Sequence, residues 1–344
     1  MQVYAQMELR DNRLPLSATP GYARRIESLG YDGLHVSETL HDPFAMALLA
    51  AEHTERITIR TAIALAFVRS PTATAYAAWD LARMSGGRFQ LGLGTQIKQN
   101  IEGRYGVPWR EPVERMREYV EALGALFASF GTGEPLRYEG EHYRLTRMQP
   151  YFNPGPDPSI TPPPIWLGGV NEGICELTGS HAEGFITHPT NSDRRYLDEI
   201  CFPSIERGAT RAGRTLQDVE FVVCADMATG ATDAVVAAER ERLRRMFAFL
   251  YSTPPYRRAL ELYGWGEVAE PLRRLIRADR WDELHHLVTD DMLETLFVIC
   301  RYEELPRLLL ERYAGVAAGV TVSPPADRAH DEQFREVIRA LQAG

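Results

Sequence analysis

The sequence predicts an α/β fold, namely a (β/α)8 barrel of the TIM type with insertions after strands 4 and 7. Along the 344 residues, short apolar strands alternate with amphipathic helices. Such alternation implies a parallel sheet, and the presence of eight strands suggests that the sheet closes into a barrel. An open, doubly wound sheet is the alternative that this pattern leaves open.

The first four strand–helix units occupy residues 1–130. The segment ITIRTAIALA is rich in β-branched residues, which favour a strand. A helix is predicted to begin at Pro71, because proline is well tolerated at the first helical position. After Pro112, apolar side chains recur every three or four residues, which indicates one buried helical stripe. The predicted strands cover residues 2–7, 33–36, 57–66 and 88–93, and the predicted helices cover residues 18–29, 43–53, 71–84 and 112–130.

The alternation is interrupted twice in the rest of the chain, which is interpreted as one domain over residues 1–344. The segment 131–163, rich in proline and aromatic residues, is predicted to be an insertion after strand 4 that either roofs the barrel or packs on its rim. A mostly helical insertion is predicted after strand 7, at about residues 231–312. The remaining strands are predicted at residues 165–168, 184–187, 221–227 and 319–322.

Composition narrows the partners and the surroundings of the protein. The formal net charge of −9 at pH 7 argues against a nucleic-acid partner. No apolar run approaches about 18 residues, so no membrane span is predicted. The start MQVYAQMELRDN has neither a basic n-region nor an apolar h-region, and we therefore expect a cytoplasmic protein. The four scattered cysteines are expected to be reduced and mostly buried.

Common cofactor and metal motifs are incomplete or missing. Gly92 and Gly94 supply the first two glycines of a dinucleotide-binding G-x-G-x-x-G fingerprint, but Ile97 occupies the third position. The sequence contains no H-x-H, H-E-x-x-H, G-x-S-x-G or Walker motif. No metal site is therefore predicted, although a barrel hydrolase whose ligands come from several strand ends stays an alternative.

In a barrel, the carboxyl ends of the strands carry the active site, which makes the residues after strand 4 candidates for binding. Thr95, Gln96 and Lys98, the only lysine of the chain, offer hydrogen-bond donors, acceptors and a cation there. One strand further along, Gly168 and Gly169 precede a predicted helix, and backbone N–H groups at such a turn form an anion site. This turn is the best phosphate candidate, and a plain strand–helix turn is the alternative.

Several segments of the chain resemble one family. The stretch SGGRFQLGLGTQ, the stretch PPPIWLGGVNEG, the RAGR at residues 211–214 and the stretch STPPYRRALELYGW are similar to the bacterial luciferase-like flavin and deazaflavin oxidoreductases. Within that family, the chain resembles barrel proteins assigned to coenzyme F420, an 8-hydroxy-5-deazaflavin. The resemblance extends over nearly the whole sequence.

The resemblance implies a (β/α)8 barrel, usually a homodimer, that holds its cofactor at the mouth formed by the carboxyl ends of the strands. It implies a non-proline cis peptide near Thr61-Ala62-Ile63, and a cation such as Lys98 or Arg104 at the anionic tail of the cofactor or at the substrate. The residues expected to contact the cofactor are Gln6, Thr39, Ala62, Ile63, Thr95, Gln96 and Lys98, with Gly168, Gly169, Val170 and Asn171 around its phosphate end.

The chain departs from its relatives at the mouth. Several deazaflavin dehydrogenases of the family carry an Asp-His pair after strand 2, where this chain has Glu38-Thr39. The next histidine is His41, and a glutamate and a histidine that relatives carry after strand 4 are missing. Glu38, His41 and Glu102 are therefore the candidate catalytic residues that would manage protons.

The leading hypothesis is an oxidoreductase that transfers a hydride between coenzyme F420 and a small organic substrate. The protein would orient the cofactor and exclude water. The first alternative is an FMN-dependent monooxygenase that uses O₂ on the same fold. A barrel that has lost its redox function, and now binds a ligand or catalyses a cofactor-independent biosynthetic step, is a further alternative.

Overall fold

The computed structural model describes residues 1–7 and 15–344, and it contains the predicted closed, parallel, eight-stranded barrel. Each barrel strand pairs in parallel with the next, and the first strand pairs with the last. The strands are β1 (Gln2–Gln6), β2 (Gly33–Val36), β3 (Thr58–Thr61), β4 (Phe89–Gly94), β5 (Ile165–Gly168), β6 (Gly184–Ile186), β7 (Glu220–Val223) and β8 (Gly319–Thr321).

Helices form the outer layer, and sequence signals set several of their starts. Proline begins the second, third and fourth helices, and the carboxylate of Asp42 and the hydroxyl of Ser70 accept backbone N–H bonds at two of these starts. The barrel helices are α1 (Thr19–Leu29), α2 (Pro43–Glu52), α3 (Pro71–Met84), α4 (Pro112–Thr132), α5 (Glu172–His181), α6 (Phe202–Arg211), α7 (Leu305–Tyr313) and α8 (Asp331–Ala343). Further helices cover Lys98–Gly103, Asp233–Tyr251, Arg257–Leu262, Ala269–Arg277 and Asp290–Leu296.

The strand predicted at residues 57–66 is divided in two. β3 ends at Thr61, and pairing with β4 resumes at the short strand Ala64–Leu65. Between the two, the Ala62–Ile63 peptide bond is cis, at the position that the resemblance implied. The pairing with β4 is interrupted because the turn bonds to β2 on the other side of β3. The N–H of Ala62 donates to the carbonyl of Val36 at 2.7 Å.

The strand predicted at residues 221–227 is also two strands. β7 ends at Val223, and Met227–Gly230 pairs in parallel with Val298–Arg301 in a separate two-stranded sheet. The apolar run alone could not separate the two, because the partner of the second strand lies far along the chain. The segment predicted as mostly helical therefore also contributes one strand.

The segment 131–163 packs on the helix layer. Its strands Tyr138–Glu139 and Arg144–Leu145 form an antiparallel hairpin, and the buried carboxylate of Glu118 in α4 accepts three backbone N–H bonds from residues 141–143. Burial alone would raise the pKa of Glu118, but these three donors lower it. Further along, the hydroxyl of Tyr76 in α3 donates to the carbonyl of Phe152. Of the two predicted arrangements, these contacts favour packing against the barrel over roofing it.

The barrel interior contains a buried cation. The guanidinium of Arg60 lies 3.5 Å from the ring centroid of Trp166 and 4.7 Å from that of Tyr4. The Nε of Arg60 donates to Gln90 Oε1 at 2.7 Å, and Nη1 lies 3.0 Å from His35 Nε2. Among residues 1–7 and 15–344 no carboxylate pairs with Arg60, so aromatic faces and neutral acceptors stabilise its charge. Burial and the Arg60 charge hold the pKa of His35 well below its ordinary value.

All four cysteines are buried free thiols, as the sequence predicts. Within the part of the chain that the structure describes, no helix has both the length and the apolarity needed to cross a membrane.

Helices α5 and α6 approach each other closely, and two glycines make this possible. A Cβ added at Gly179 would lie 2.0 Å from the carbonyl oxygen of Ile205, and one at Gly208 would lie 1.8 Å from that of Glu176. Both clashes are with backbone atoms of the facing helix, which cannot rotate away as a side chain can. These positions therefore tolerate only glycine unless the helices separate.

We expect Gly179→Ala to lower the free energy of unfolding by roughly 1–3 kcal/mol, because the new methyl group forces the two helices apart. The matched control is Gly124→Ala in α4, where an added Cβ meets nothing within 4 Å. That variant should gain about 0.5–1 kcal/mol from helix propensity. Urea unfolding followed by circular dichroism measures both, and equal midpoints for the two variants would contradict the prediction.

Candidate functional site

The alternation of side chains along the barrel strands decides which residues face the mouth. Tyr4, Trp166, Ile186, Val222 and Cys224 form one buried cluster inside the barrel. Because successive side chains point to opposite faces of a strand, residues two positions further along lie on the same interior side, at the mouth. His35 and Arg60 also face the interior. The residues two positions after Tyr4, His35, Arg60, Trp166 and Ile186 therefore reach the mouth, and they are Gln6, Ser37, Ala62, Gly168 and His188.

The turn after β3 is fixed to β1 and β2 by hydrogen bonds. The hydroxyl of Ser37 donates to the carbonyl of Ala62 at 2.7 Å, and Gln6 Nε2 donates to that hydroxyl at 3.0 Å. The backbone N–H of Glu38 donates to the carbonyl of Ile63 at 3.2 Å. Both carbonyls of the turn are therefore satisfied, and the turn has a defined position at the mouth.

The side chain of Ile63 lies between two glycines at the ends of β4 and β5. A Cβ added at Gly94 would lie 2.7 Å from Ile63 Cδ1, and one at Gly168 would lie 2.8 Å from Ile63 Cγ2. We call Ile63, Gly94 and Gly168 the Ile63 platform. Because the two glycines carry no side chain, Ile63 packs directly on them, and its half-buried side chain leaves an apolar surface at the mouth.

The carboxylate of Glu38 is engaged by two donors. Its Oε2 accepts the N–H of Leu65 at 2.8 Å and pairs with Arg69 Nη1 at 2.7 Å. The side chain of Glu38 is only 7 % exposed, and Arg69 also pairs with Asp42 at 2.6 Å. The residue predicted to manage protons thus binds the loop after β3 through a backbone N–H and Arg69.

Lys98 and Glu102, predicted as a cation and a catalytic group, form one ion pair on the short helix Lys98–Gly103. Their charged atoms are 3.9 Å apart, and their side chains are 59 % and 45 % exposed. Such exposed pairs contribute little to stability. The third predicted catalytic residue, His41, lies between β2 and α2, directly before the N-cap residue Asp42.

The loop after β4 contacts itself and the loop after β2. Gln96 adopts a left-handed conformation with φ of 61°, and its Oε1 accepts the N–H of Ile97 at 3.0 Å. The hydroxyl of Thr95 donates to the carbonyl of Gln96 at 3.1 Å. Arg104 Nη2 donates to the carbonyl of Thr39 at 2.7 Å. Thr95 and Gln96 thus bond within their own loop, and Arg104 links the short helix after β4 to the loop after β2.

The glycine turn after β5 leads into α5, as the sequence predicts. Asn171 caps the helix, with its Oδ1 accepting the N–H of Ile174 at 3.1 Å. The carbonyls of Gly169 and Val170 accept hydrogen bonds from the side chains of Asn191 and Tyr196. An added Cβ at Gly169 would lie 2.5 Å from Ile174 Cγ2, so the backbone is packed closely here.

Charged groups also surround the start of α5. Glu172 lies in the first turn of the helix, where its carboxylate complements the helix dipole. Arg207 Nη2 lies 3.2 Å from this carboxylate, and Arg258 Nη1 lies 2.6 Å from it. Two guanidinium groups therefore stand beside the predicted phosphate cradle, but they already have an anionic partner in the chain.

His188 is a mouth residue that the sequence interpretation did not include in the site. It directly follows the β6 ladder, and its imidazole stacks on Tyr256 with ring centroids 4.8 Å apart. Its Nδ1 lies 2.8 Å from Thr190 Oγ1. The signal that could have identified it is the two-residue spacing from Ile186, which continues the interior face of β6 to the mouth.

Two surface cavities of the described part of the chain lie away from the mouth. The described residues contain no group of three His, Cys, Asp or Glu side chains that could hold a metal ion. Surface cavities of about 260 and 400 Å³ are lined by residues of the segment between β7 and β8. The mouth combines an apolar platform, a polar edge at Gln6 and Ser37, and the imidazole of His188.

Comparison with known proteins identifies the family. The sequence model described as luciferase-like monooxygenase matches residues 3–319. An uncharacterized protein of Mycobacterium tuberculosis is 40% identical over 305 residues, which are 89% of this chain and 88% of that protein. The 5,10-methylenetetrahydromethanopterin reductase of Archaeoglobus fulgidus is 26% identical over 93% of this chain and 95% of its own length.

A solved structure agrees with the barrel architecture. The coenzyme F420 dependent tetrahydromethanopterin reductase of Methanopyrus kandleri aligns with a TM-score of 0.80 and 18% sequence identity, over 99% of this chain and 98% of that one. At this identity the likeness concerns the fold. With a family model that matches most of the sequence and a relative at 40% identity, the chain belongs to the luciferase-like monooxygenase family of oxidoreductases.

Proposed function

We propose that this enzyme uses coenzyme F420 to transfer a hydride to or from a small organic substrate. The bound deazaflavin would supply the hydride chemistry at C5 of its ring. The chain's contribution is to bind the ring in one orientation and to keep water from the reacting atoms. That two copies of the chain pair as a homodimer, as the family resemblance implies, stays a prediction.

The observation that carries the proposal is the Ile63 platform. Cβ atoms at Gly94 and Gly168 would clash with the side chain of Ile63, so the two glycines let Ile63 pack at the ends of β4 and β5 as an apolar surface. Apolar, concave surfaces with a few polar groups at their edges are typical of cofactor sites. Here Gln6 and Ser37 provide the polar edge and hold the turn beneath the ring.

Some of the relatives support a deazaflavin as the cofactor. The reductase of Methanopyrus kandleri, which shares the fold, is described as coenzyme F420 dependent. The reductase of Archaeoglobus fulgidus is similar over nearly the full length of both chains. The start of α5, with Asn171 as its cap and Arg207 and Arg258 beside it, is the proposed location of the anionic end of the cofactor.

The binding of F420 to the purified protein, followed by its fluorescence, tests the proposal. We expect saturable binding to the wild type, and at least about tenfold weaker binding to Gly168→Ala, because the new methyl group displaces Ile63 from the platform. Gly124→Ala is the matched control and should bind as the wild type does. Lack of binding by the wild type would refute the proposal, and unchanged binding by a folded Gly168→Ala variant would remove the platform from the site.

An FMN-dependent monooxygenase is the second candidate, favoured by the description of the family whose model matches. A flavin ring has the same tricyclic shape, so the Ile63 platform would accept it as well. Titration with FMN and oxygen-electrode measurements with reduced FMN separate the two. Consumption of O₂ above the rate of free reduced FMN would support the monooxygenase, and inertness to O₂ would dismiss it. A protein that binds neither cofactor would instead fit a barrel without redox function.

A second prediction concerns Glu38, for which we propose a role in positioning the turn after β3. Glu38→Gln should lower the free energy of unfolding by about 1 kcal/mol, because the guanidinium of Arg69 loses the more buried of its two anionic partners. Asp42→Asn, which removes the more exposed partner of Arg69 and keeps a good N-cap, should cost less. Urea unfolding measures both. A Glu38→Gln variant as stable as the wild type would mean that the carboxylate is not required to hold the turn.

A third prediction concerns Lys98, the exposed cation after β4. Lys98→Ala should leave the stability within about 0.5 kcal/mol of the wild type, since its ion pair is exposed. It should raise the dissociation constant for F420 several-fold and reduce the salt dependence of binding, because a cation near the mouth attracts the anionic cofactor at a distance. Glu102→Gln frees Lys98 from its partner and should not weaken binding. An unchanged dissociation constant and salt slope for Lys98→Ala would make it a surface residue only.

A further inference from the structure

The position of His188 follows from the register of β6. Gly184 and Ile186 face the barrel interior, where an added Cβ at Gly184 would meet the Trp166 ring and Ile186 packs in the interior cluster. The ladder continues one residue further, since the N–H of Thr187 donates to the carbonyl of Val222. His188 is itself extended, with φ of −91° and ψ of 151°. Its side chain is therefore the next on the interior face and lies at the mouth.

His188 is tied to the Ile63 platform through one buried side chain. The backbone N–H of His188 donates to Asn191 Oδ1 at 2.7 Å, and Asn191 Nδ2 donates to the carbonyl of Gly169 at 3.0 Å. Gly169 directly follows Gly168, a member of the platform. Asn191 is fully buried, so it joins the carboxyl ends of β5 and β6 away from water. The backbone of His188 is thus fixed relative to the backbone that follows the platform residue Gly168.

The orientation and the tautomer of the ring are also set by the chain. The N–H of Thr190 donates to His188 Nδ1 at 3.3 Å, so Nδ1 is the acceptor and the proton of the neutral ring is assigned to Nε2. Stacking on Tyr256, at an interplanar angle of 19°, fixes the plane of the ring. Among residues 1–7 and 15–344, Nε2 has no hydrogen-bond partner, and the residue is half-buried. Burial lowers the pKa of His188 to about 4, so the ring is neutral at pH 7.

A neutral imidazole held in this way can only donate at Nε2. Its natural partner is an atom that accepts but does not donate, and a carbonyl oxygen is such an atom. The proposed ligands, a deazaflavin or a flavin, both carry ring carbonyls. We propose that His188 is a fixed hydrogen-bond donor of the mouth, whose Nε2–H binds a carbonyl oxygen of the tricyclic ring on the Ile63 platform. The identity of the ligand rests on the proposed function, whereas the tautomer and the position of His188 do not.

The experiment combines binding and NMR on the full-length protein. With F420 as the probe, His188→Ala should raise the dissociation constant roughly tenfold, as expected for the loss of one hydrogen bond. His188→Gln, which retains an N–H donor, should raise it at most about threefold. Tyr256→Phe is the matched control, because it keeps the stacked ring and should leave the dissociation constant unchanged.

Long-range ¹H–¹⁵N spectra of protein labelled at histidine provide the second readout, with His188→Gln used for assignment. In the free protein at pH 7 the signals should be those of the Nε2–H tautomer, and F420 should shift the Nε2–H resonance. An Nδ1–H tautomer would overturn the inference. So would binding of F420 that leaves both the His188 resonances and the affinity of His188→Ala unchanged. A wild type that binds no F420, but shows the Nε2–H tautomer, would refute the proposed function and would call for the same titration with FMN.

Discussion

The mouth of this barrel is built above a guanidinium that has no carboxylate partner among the described residues. Removing a charge from water costs several kcal/mol, so Arg60 must be compensated by what surrounds it. Trp166 and Tyr4 present their ring faces to it, and Gln90 and His35 face it with polar atoms. These side chains fill the interior layer, and because strand residues alternate, their orientation also sets which residues point into the mouth above them. The side chains that surround the interior charge therefore also fix which residues line the mouth.

Above that layer, the mouth is organised mainly by bonds to backbone groups. Ser37 and Glu38 satisfy the two carbonyls of the turn after β3, and the Glu38 carboxylate binds the N–H of Leu65. Asn191 and Tyr196 bind the carbonyls that follow β5. Side chains used in this way position the loops and leave fewer groups for proton transfer.

Much of the fold could be predicted because short-range sequence patterns encode it. The strand at residues 33–36 and the helix at residues 71–84 have the boundaries that periodicity and proline predict. The strands predicted at residues 57–66 and 221–227 were wrong in continuity. The first is interrupted by a turn that bonds to β2 before pairing with β4 resumes. The second ends because its last residues pair with residues 298–301, far along the chain. The candidate site was predicted as a set of strand ends, which is a property of every such barrel. The role of each side chain at these strand ends depends on tertiary contacts, which the spacing of residues in the sequence does not reveal.

The sequence by itself determined the alternation of strands and helices, the family, and the glycines at the ends of β4 and β5. These features are encoded in composition and short-range order, because local sterics and hydrophobic periodicity determine where strands and helices form. Only the tertiary structure decided that Glu38 binds Arg69 and a backbone N–H, that Lys98 and Glu102 are exposed, and that Ile63 lies between Gly94 and Gly168. It also decided that His188 faces the mouth and that its Nε2 has no hydrogen-bond partner among residues 1–7 and 15–344. Each of these depends on which strands become neighbours when the barrel closes, and closure joins residues that are far apart in the chain.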